Sequence, residues 1–338
     1  MEQTAVVILN YNGKNYLEKF LPSVIEHSEG CSIIVADNCS TDDSVDFLKD
    51  KFPSIPLIQL SENLGFSEGY NAALQQVESK YYILLNSDVE VTAGWVNPII
   101  EMMESDPSIA AAQPKILDYN NPEYFEYAGA GGGYIDRLGY PFCRGRMFLT
   151  LEKDQGQYDD VANIFWATGA CLFIRSEVYH RLGGLDKDFF AHMEEIDLCW
   201  RIHNAGYEVI YNGQSKVYHV GGGTLHKSNP RKTYLNFRNG LTLLYKNYSL
   251  EALLLKLPLR ILLDIVAAVK FMLSDSFADG IAVFKAILHF VLNIGNNTKK
   301  RRRVRMQAKR RSIDSIIKLF IVVEYYLKGR KSFTDLKR

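Results

Sequence analysis

The chain has only five cysteines among its 338 residues. They are odd in number, scattered at positions 31, 39, 143, 171 and 199, and include no CxxC pair, which excludes a disulfide framework and leaves no zinc or redox signature. A reducing compartment, the cytoplasm, is therefore expected. A basic leader is also missing: Met1-Glu2-Gln3-Thr4 runs into a short apolar segment that Asn10 ends, so no secretory signal is expected. No run approaches the ~18–20 uncharged residues of a spanning helix. Walker A, HExxH and GxSxG patterns are absent, and no serine-histidine-acid triad can be assigned from spacing. The stretch 129–134 begins like a dinucleotide fingerprint but ends in Tyr134 and lies away from any strand-to-helix turn. Even net charge is lacking, with 39 basic against 39 acidic side chains.

That zero conceals two unlike halves. Residues 1–245 carry 19 Lys and Arg against 32 Asp and Glu, whereas 246–338 carry 20 against 7, so the halves sum to −13 and +13. An acidic body repels nucleic acid, and a basic tail rich in Leu, Ile, Val and Phe suits an anionic membrane surface. With 47% apolar residues the chain has enough material for an ordinary core.

The first half alternates β-branched runs with amphipathic stretches, the pattern of a parallel sheet with crossover helices. Strands are expected at 5–9, 32–36, 56–60, 81–85 and 109–113. The helix at 16–27 places Leu17, Phe20, Leu21, Val24 and Ile25 on one face, a helix start is expected at 40–43, and a third helix spans 67–77. From 118 to 160 the chain turns glycine- and tyrosine-rich and is expected to be irregular. A strand at 171–174, a helix at 176–182 capped by Ser176, a helix at 194–204 stopped by Gly206, and strands at 207–211 and 216–218 complete this half. Helices lying on or beside a membrane rather than through it are expected over 250–294, the alternative being helices packed against the body of the chain with a solvated basic loop. The run 299–311 then has nine basic residues among thirteen, and an amphipathic stretch follows at 313–327.

Four polar clusters fall at the C-terminal ends of expected strands: Asn10-Tyr11-Asn12, Asp37-Asn38, Asn63-Leu64-Gly65 and Asn86-Ser87-Asp88. Singly each reads as turn chemistry. Together they mark the edge of a parallel sheet where ligands bind. Asp88 leaves a buried strand and suits a hard divalent cation, Mn²⁺ or Mg²⁺, with Glu90 either assisting or serving as a solvated turn residue. Glu194, Glu195 and Asp197 open a helix behind the aromatic run 189–193; they can favour the helix dipole, or one can serve as a partly desolvated general base. His219 precedes three glycines and can complete the metal shell, while Arg238 can pair with the same phosphates.

In order, the stretches 6–12, 34–42, 63–66, 84–88 and 190–197 resemble the family 2 glycosyltransferases with the GT-A fold, over residues 4–245, and most closely the bacterial surface-polysaccharide, rhamnosyltransferase-like branch. The resemblance implies an α/β GT-A catalytic domain over 1–245, built on a mostly parallel central sheet, with a basic, amphipathic helical appendage over 246–338. It also implies inverting transfer of a sugar from a UDP- or dTDP-linked donor to a saccharide hydroxyl. In this correspondence Tyr11, Asn12 and Asp37 hold base and ribose, and Asn63 and Gly65 form the loop beside them. Asp88 ends the metal signature and His219 is its second ligand, while Asn86 stands where many members have Asp. Glu195 is the catalytic base, with Glu194 and Asp197 as possible support, and Trp166 and Gly169 form a wall of the acceptor site. The tail suggests a lipid-linked acceptor met at the cytoplasmic membrane face. Two rival readings use the same residues. One is a nucleotidyltransferase, although no Gly-rich, Lys/Arg-bearing phosphate loop follows the first strand. The other is a catalytically silent nucleotide-sugar-binding or scaffold protein.

Overall fold

The computed structural model describes residues 3–221, 229–309 and 313–336. Gly222, Gly223 and Thr224 of the glycine run, and Arg310 and Arg311 of the basic run, lie outside them. The chain opens β1 (Thr4–Asn10), α1 (Lys14–His27), β2 (Cys31–Asp37), α2 (Ser44–Lys51), β3 (Leu57–Gln59), α3 (Gly65–Leu74), β4 (Tyr81–Asn86), β5 (Val89–Val91), α4 (Asn97–Ser105) and β6 (Ile109–Asp118). Four short strands follow, β7 (Gly133–Asp136), β8 (Pro141–Cys143), β9 (Arg146–Met147) and β10 (Thr150–Leu151). Next come β11 (Val161–Ile164), β12 (Cys171–Arg175), α5 (Ser176–Arg181), α6 (Glu194–Asn204) and β13 (Glu208–His219). The last part holds α7 (Pro230–Asn247), α8 (Leu250–Lys270), α9 (Phe277–Leu292), α10 (Ile294–Gln307) and β14 (Ile316–Ile317).

The main sheet runs β11-β13-β6-β12-β4-β1-β2-β3, with β5 paired to β13. It is parallel through β4-β1-β2-β3 and again at β6–β13, with β12 antiparallel between them. Side chains alternate across a strand, so β1 sends Ala5 and Val7 into one apolar core and Val6 and Ile8 into the other. The helical face of α1 closes the second core with Leu17, Leu21 and Val24, while Tyr70, Ala73 and Leu74 of α3 close the first. Ile25, expected on the buried face of α1, is exposed.

Several local expectations are corrected. α2 starts at Ser44, because the backbone amides of Ser40, Thr41 and Asp42 are already bound by Asp37 and Asn12. Ser176 is the first helical residue of α5 and not its cap, its hydroxyl donating to Lys80 O at 3.1 Å. The strands expected at 207–211 and 216–218 are one strand with a register shift between Asn212 and Lys216. The 118–160 excursion contains a second sheet, β10-β9-β8-β7-β14. The 313–327 stretch, expected to be amphipathic and continuous, is the two-residue β14 followed by a π-helical turn at Val323–Leu327.

The C-terminal helices pack on the body. Leu253, Ile321, Tyr325, Phe333 and Leu336 belong to the same apolar core as β1 and α3. α8 is polar on its inner side. Arg260 Nε donates to Asp264 Oδ1 at 2.8 Å and Nη1 to Leu138 O at 3.1 Å, and Tyr140 Oη donates to Asp264 at 3.2 Å. Its outer side carries Leu255, Leu262 and Val266, all exposed, at the helical spacing of one stripe.

Candidate active site

β1 and β2 end side by side, Asn10 opposite Asp37, and their side chains shape the sheet edge. The fully buried Asn10 donates Nδ2 to Asp37 Oδ1 at 3.0 Å and to Ser40 Oγ at 3.1 Å. Asp37 in turn accepts from the Ser40 amide and hydroxyl at 2.9 and 2.6 Å. Asn12 sits at φ 53°, a left-handed position that Asn tolerates, and its Oδ1 accepts the amides of Thr41 and Asp42 at 2.7 and 3.3 Å. Asn38 joins the next loop, donating to Asn63 Oδ1 and Gly65 O and accepting from Leu64 N at 2.9 Å. Tyr11, Asn12, Asp37, Asn63 and Gly65 are thus one continuous cluster, with the Tyr11 ring exposed at its rim. Asn10, Asn38 and Ser40 complete it and were not singled out as site residues. Their signal was their position at strand ends.

Asp88 and His219 meet at the same edge. His219 closes β13 beside β5, and its Nε2 lies 3.1 Å from Asp88 Oδ1 and 3.5 Å from Asn86 Nδ2. Glu126, absent from the sequence-derived site, stands 3.4 Å from the other ring nitrogen. Burial opposes a charged imidazole, but Glu126 and Asp88 outweigh it and hold the His219 pKa at about 10. Burial likewise opposes charge on Asp88, yet His219 keeps its pKa below the usual carboxylate value. Among the described residues no three carboxylate, imidazole or thiolate side chains converge as a metal cage. Asp88 fits a Mg²⁺ or Mn²⁺ ion that takes most of its shell from substrate phosphates and water, and His219 would join it by giving up the proton on Nε2, 3.1 Å from Asp88 Oδ1, since an imidazole ligates only through a deprotonated nitrogen.

The base candidates open α6. The chain between β4 and α6 closes on itself here: Asn86 N donates to Ala170 O at 3.0 Å, and a Cβ on the adjacent Gly169 would stand 4.0 Å from Glu195 Cβ and 3.0 Å from the Phe66 ring. A side chain at 169 would therefore occupy the space in front of Glu195. Oε2 of Glu194 and Oε2 of Glu195 are both buried without a hydrogen-bond partner. Burial raises the Glu195 pKa to about 7, and burial plus the neighbouring Glu195 carboxylate raises Glu194 further. Two carboxyls of raised pKa thus stand side by side at the start of α6, and Glu195 ionises near neutrality, as a general base requires. His192 Nε2 is also buried and unpartnered; burial, then Lys232, lowers its pKa to about 4 and keeps it neutral.

Three assigned residues sit elsewhere. Asp197, offered as catalytic support, is fully buried and accepts from Arg201 Nε at 2.8 Å, Lys246 Nζ at 2.9 Å and Asn247 Nδ2 at 3.0 Å, so its oxygens are consumed in a structural ion network. Trp166, expected to wall the acceptor site, is buried with its indole N–H on Tyr134 O at 3.0 Å and its ring against Gly133. Arg238, expected on the donor phosphates, gives Nη2 to Asp188 O and Phe189 O at 2.8 and 3.0 Å, on the turn that leads to Glu194.

The chain is similar to known proteins over much of its length. Residues 5–183 match the model of the family described as "Glycosyl transferase family 2". The N-acetylglucosaminyl-diphospho-decaprenol L-rhamnosyltransferase of Mycobacterium tuberculosis is 27% identical over 233 residues, covering 63% of this chain and 75% of that protein. Among solved structures, GalNAc-T7 with UDP, GalNAc and Mn²⁺ superposes with TM-score 0.58 at 18% identity, over 75% of this chain and 49% of the other. Staphylococcus aureus TarS 1–349 superposes with TM-score 0.56 at 13% identity, over 97% and 92%. At these identities the two structures establish the fold, GT-A, and nothing finer.

Proposed function

From a chain that belongs to glycosyl transferase family 2, and is therefore a glycosyltransferase, we propose an inverting enzyme that moves a sugar from a UDP- or dTDP-linked donor to a saccharide hydroxyl. The observation that carries this reading is Glu195: its Oε2 is buried with no hydrogen-bond partner, and its Cβ faces Gly169, whose neighbour Ala170 accepts from Asn86 N at the end of β4, two residues before Asp88. Glu195 takes the proton of the acceptor hydroxyl as that oxygen attacks the anomeric carbon from the face opposite the leaving diphosphate. Tyr11, Asn12, Asp37, Asn63 and Gly65 receive the nucleoside, and Asn86 borders its diphosphate. Asp88 and His219 would hold a divalent cation, as the Mn²⁺ in GalNAc-T7 suggests; when bound it neutralises charge gathering on the leaving diphosphate. The mycobacterial relative supports a rhamnosyl-type donor and a lipid-linked acceptor in surface-polysaccharide synthesis.

The test is release of nucleoside diphosphate from a panel of UDP-, dTDP- and GDP-sugars with Mn²⁺, Mg²⁺ or EDTA. One donor is expected to turn over, and EDTA or Asp88→Asn is expected to cost ~10²-fold or more. Turnover indifferent to both would remove the metal from the reaction, and a panel without turnover or binding would favour a silent scaffold.

The second part of the proposal is peripheral attachment of 246–338 to the cytoplasmic membrane face. Among the described residues no single helix is long and apolar enough to cross a membrane; α9 and α10 pass together only as a pair bent by 68°. α8 seats Leu253 and the Arg260–Asp264 ion pair on the body and turns Leu254, Leu255, Leu262 and Val266 to the outside, more apolar surface than a solvated helix face carries, and the basic α10 follows within the same appendage. Basic residues near an anionic surface contribute ~1 kcal/mol each, and a buried leucine ~2 kcal/mol. Leu255→Glu combined with Leu262→Glu is accordingly expected to weaken sedimentation with phosphatidylglycerol-containing vesicles by ~10-fold or more; equal sedimentation would refute the attachment.

A further inference from the structure

The turn that delivers Glu195 is held in an unfavourable conformation by a residue of another helix. Phe190, His192 and Met193 all have positive φ, at 64°, 69° and 71°, in the four residues before Glu194. Side-chain-bearing residues seldom adopt this region, and three so close together persist only where the surroundings enforce them. The enforcement is visible in the carbonyls of residues 188–192. Asn239, only 1% exposed on α7, donates its single Nδ2 group toward Phe189 O at 3.1 Å, Ala191 O at 3.0 Å and His192 O at 2.7 Å. Its Oδ1 accepts from Arg238 Nε and Nη2 at 2.8 and 2.6 Å, and the same Nη2 reaches Asp188 O and Phe189 O. The remaining carbonyl, Phe190 O, takes the Phe66 amide at 3.2 Å at the start of α3, where a Cβ on Gly65 would collide with the Phe190 ring at 2.8 Å. Five consecutive carbonyls are thus paired, four of them by two adjacent side chains of α7.

We propose that Asn239, oriented by Arg238, is a positioning residue for the catalytic base: by gathering the carbonyls of the left-handed turn it fixes where α6 begins and hence where the Glu195 carboxylate stands. This rests on the glycosyltransfer reading above. It assigns no substrate contact to Asn239. Its effect passes entirely through the turn, so loss of the clamp lowers the rate of the chemical step and leaves donor affinity in place.

The experiment compares wild type, Asn239→Leu, Arg238→Lys and Arg238→Ala. It measures kcat and donor KM by nucleoside-diphosphate release, kcat against pH, and amide hydrogen exchange over the whole chain. Asn239→Leu is expected to lower kcat by ~10²-fold with donor KM changed by no more than a few-fold. Its acid limb is expected to move to lower pH, because a loosened turn lets water reach Glu195. Exchange is expected to accelerate in peptides covering 188–195 and to stay unchanged elsewhere. Arg238→Lys, which keeps the charge and one donor, is expected to fall between wild type and Arg238→Ala; this pair carries the test if Asn239→Leu does not fold. Unchanged kcat, or a kcat loss accompanied by faster exchange throughout α7 and the core, would overturn the assignment. Wild type that turns over no donor would instead defeat the glycosyltransfer reading, which is a separate result.

Discussion

Glu195→Gln is expected to reduce turnover by ~10²- to 10⁴-fold, the usual worth of a positioned general base, while donor affinity measured by titration calorimetry stays within a few-fold of wild type. Glutamine keeps the shape of the side chain and removes only its capacity to take a proton. Retained turnover would transfer the role to Glu194, the other carboxyl in the buried pair. The pH dependence has a definite sign. With the Glu195 pKa raised to about 7 by burial, the base is protonated and idle in acid, and the wild-type rate rises with pH through about 7. Stability moves the other way. A carboxyl whose folded pKa lies above its ordinary value of 4.5 contributes stability that is fully present below 4.5 and lost as pH rises through 7. The glutamine variant does not titrate. It is therefore expected to gain on wild type between these pH values, reaching on the order of 3 kcal/mol at pH 8, as urea denaturation would show. A dead enzyme whose stability advantage over the living one grows from pH 4.5 and levels off above 7 would tie the raised pKa and the base role to one residue.

The parts of the fold that the sequence made legible depend on local periodicity. Alternating apolar residues in 5–9, 32–36 and 81–85 were enough to place β1, β2 and β4, and with them the sheet edge that gathers Tyr11, Asp37 and Asp88. What stayed hidden depends on partners far away in the chain. β14 pairs with β7 across about 180 residues, and two isoleucines carry no pattern that announces it. Arg260 and Asp264 interrupt an apolar run in the sequence, and only Leu138 and Tyr140 on the body reveal that they face inward. The candidate site divides in the same way. Glu195 and Asp88 stand out in the sequence because they follow strand and helix boundaries, whereas Glu126 reaches His219, and Asn239 the carbonyls before Glu194, only through partners far away in the chain. Arg238 and Trp166 were misplaced for a related reason: a guanidinium and an indole suit both ligands and buried backbone carbonyls, and here Asp188 O, Phe189 O and Tyr134 O took them.

Asp197→Ala is expected to cost ~3–5 kcal/mol of folding stability, the penalty for removing one partner from a buried ion network, read as a lower denaturation midpoint at unchanged slope. Asp197 is fully buried, and the two cations it serves, Arg201 and Lys246, are 6% and 2% exposed. Lys246 would keep Asp186, at 2.5 Å. Arg201 would keep only the carbonyls of Leu182 and Gly184, at 2.8 and 2.7 Å, and lose its one carboxylate. Asp197→Asn, which preserves a carbonyl acceptor, is expected to cost less, ~2 kcal/mol. Acid separates the two roles of the charge. Burial opposes the ionised form of Asp197, but Lys246 and Arg201 outweigh it and hold the pKa below its ordinary value of 3.8. The stability it contributes is complete above 3.8 and lost as pH falls through the lowered value. The asparagine variant should therefore be less acid-sensitive than wild type over that interval, even though it is weaker at pH 7. Because Asp197 and Glu195 share the first turns of α6 while Lys246 belongs to α7, the same network that stabilises the fold fixes the base helix against the helix that carries Asn239. A cost below ~1 kcal/mol would mean that α6 is seated by its apolar face alone, and that the buried charges beneath it contribute little to holding Glu195 in place.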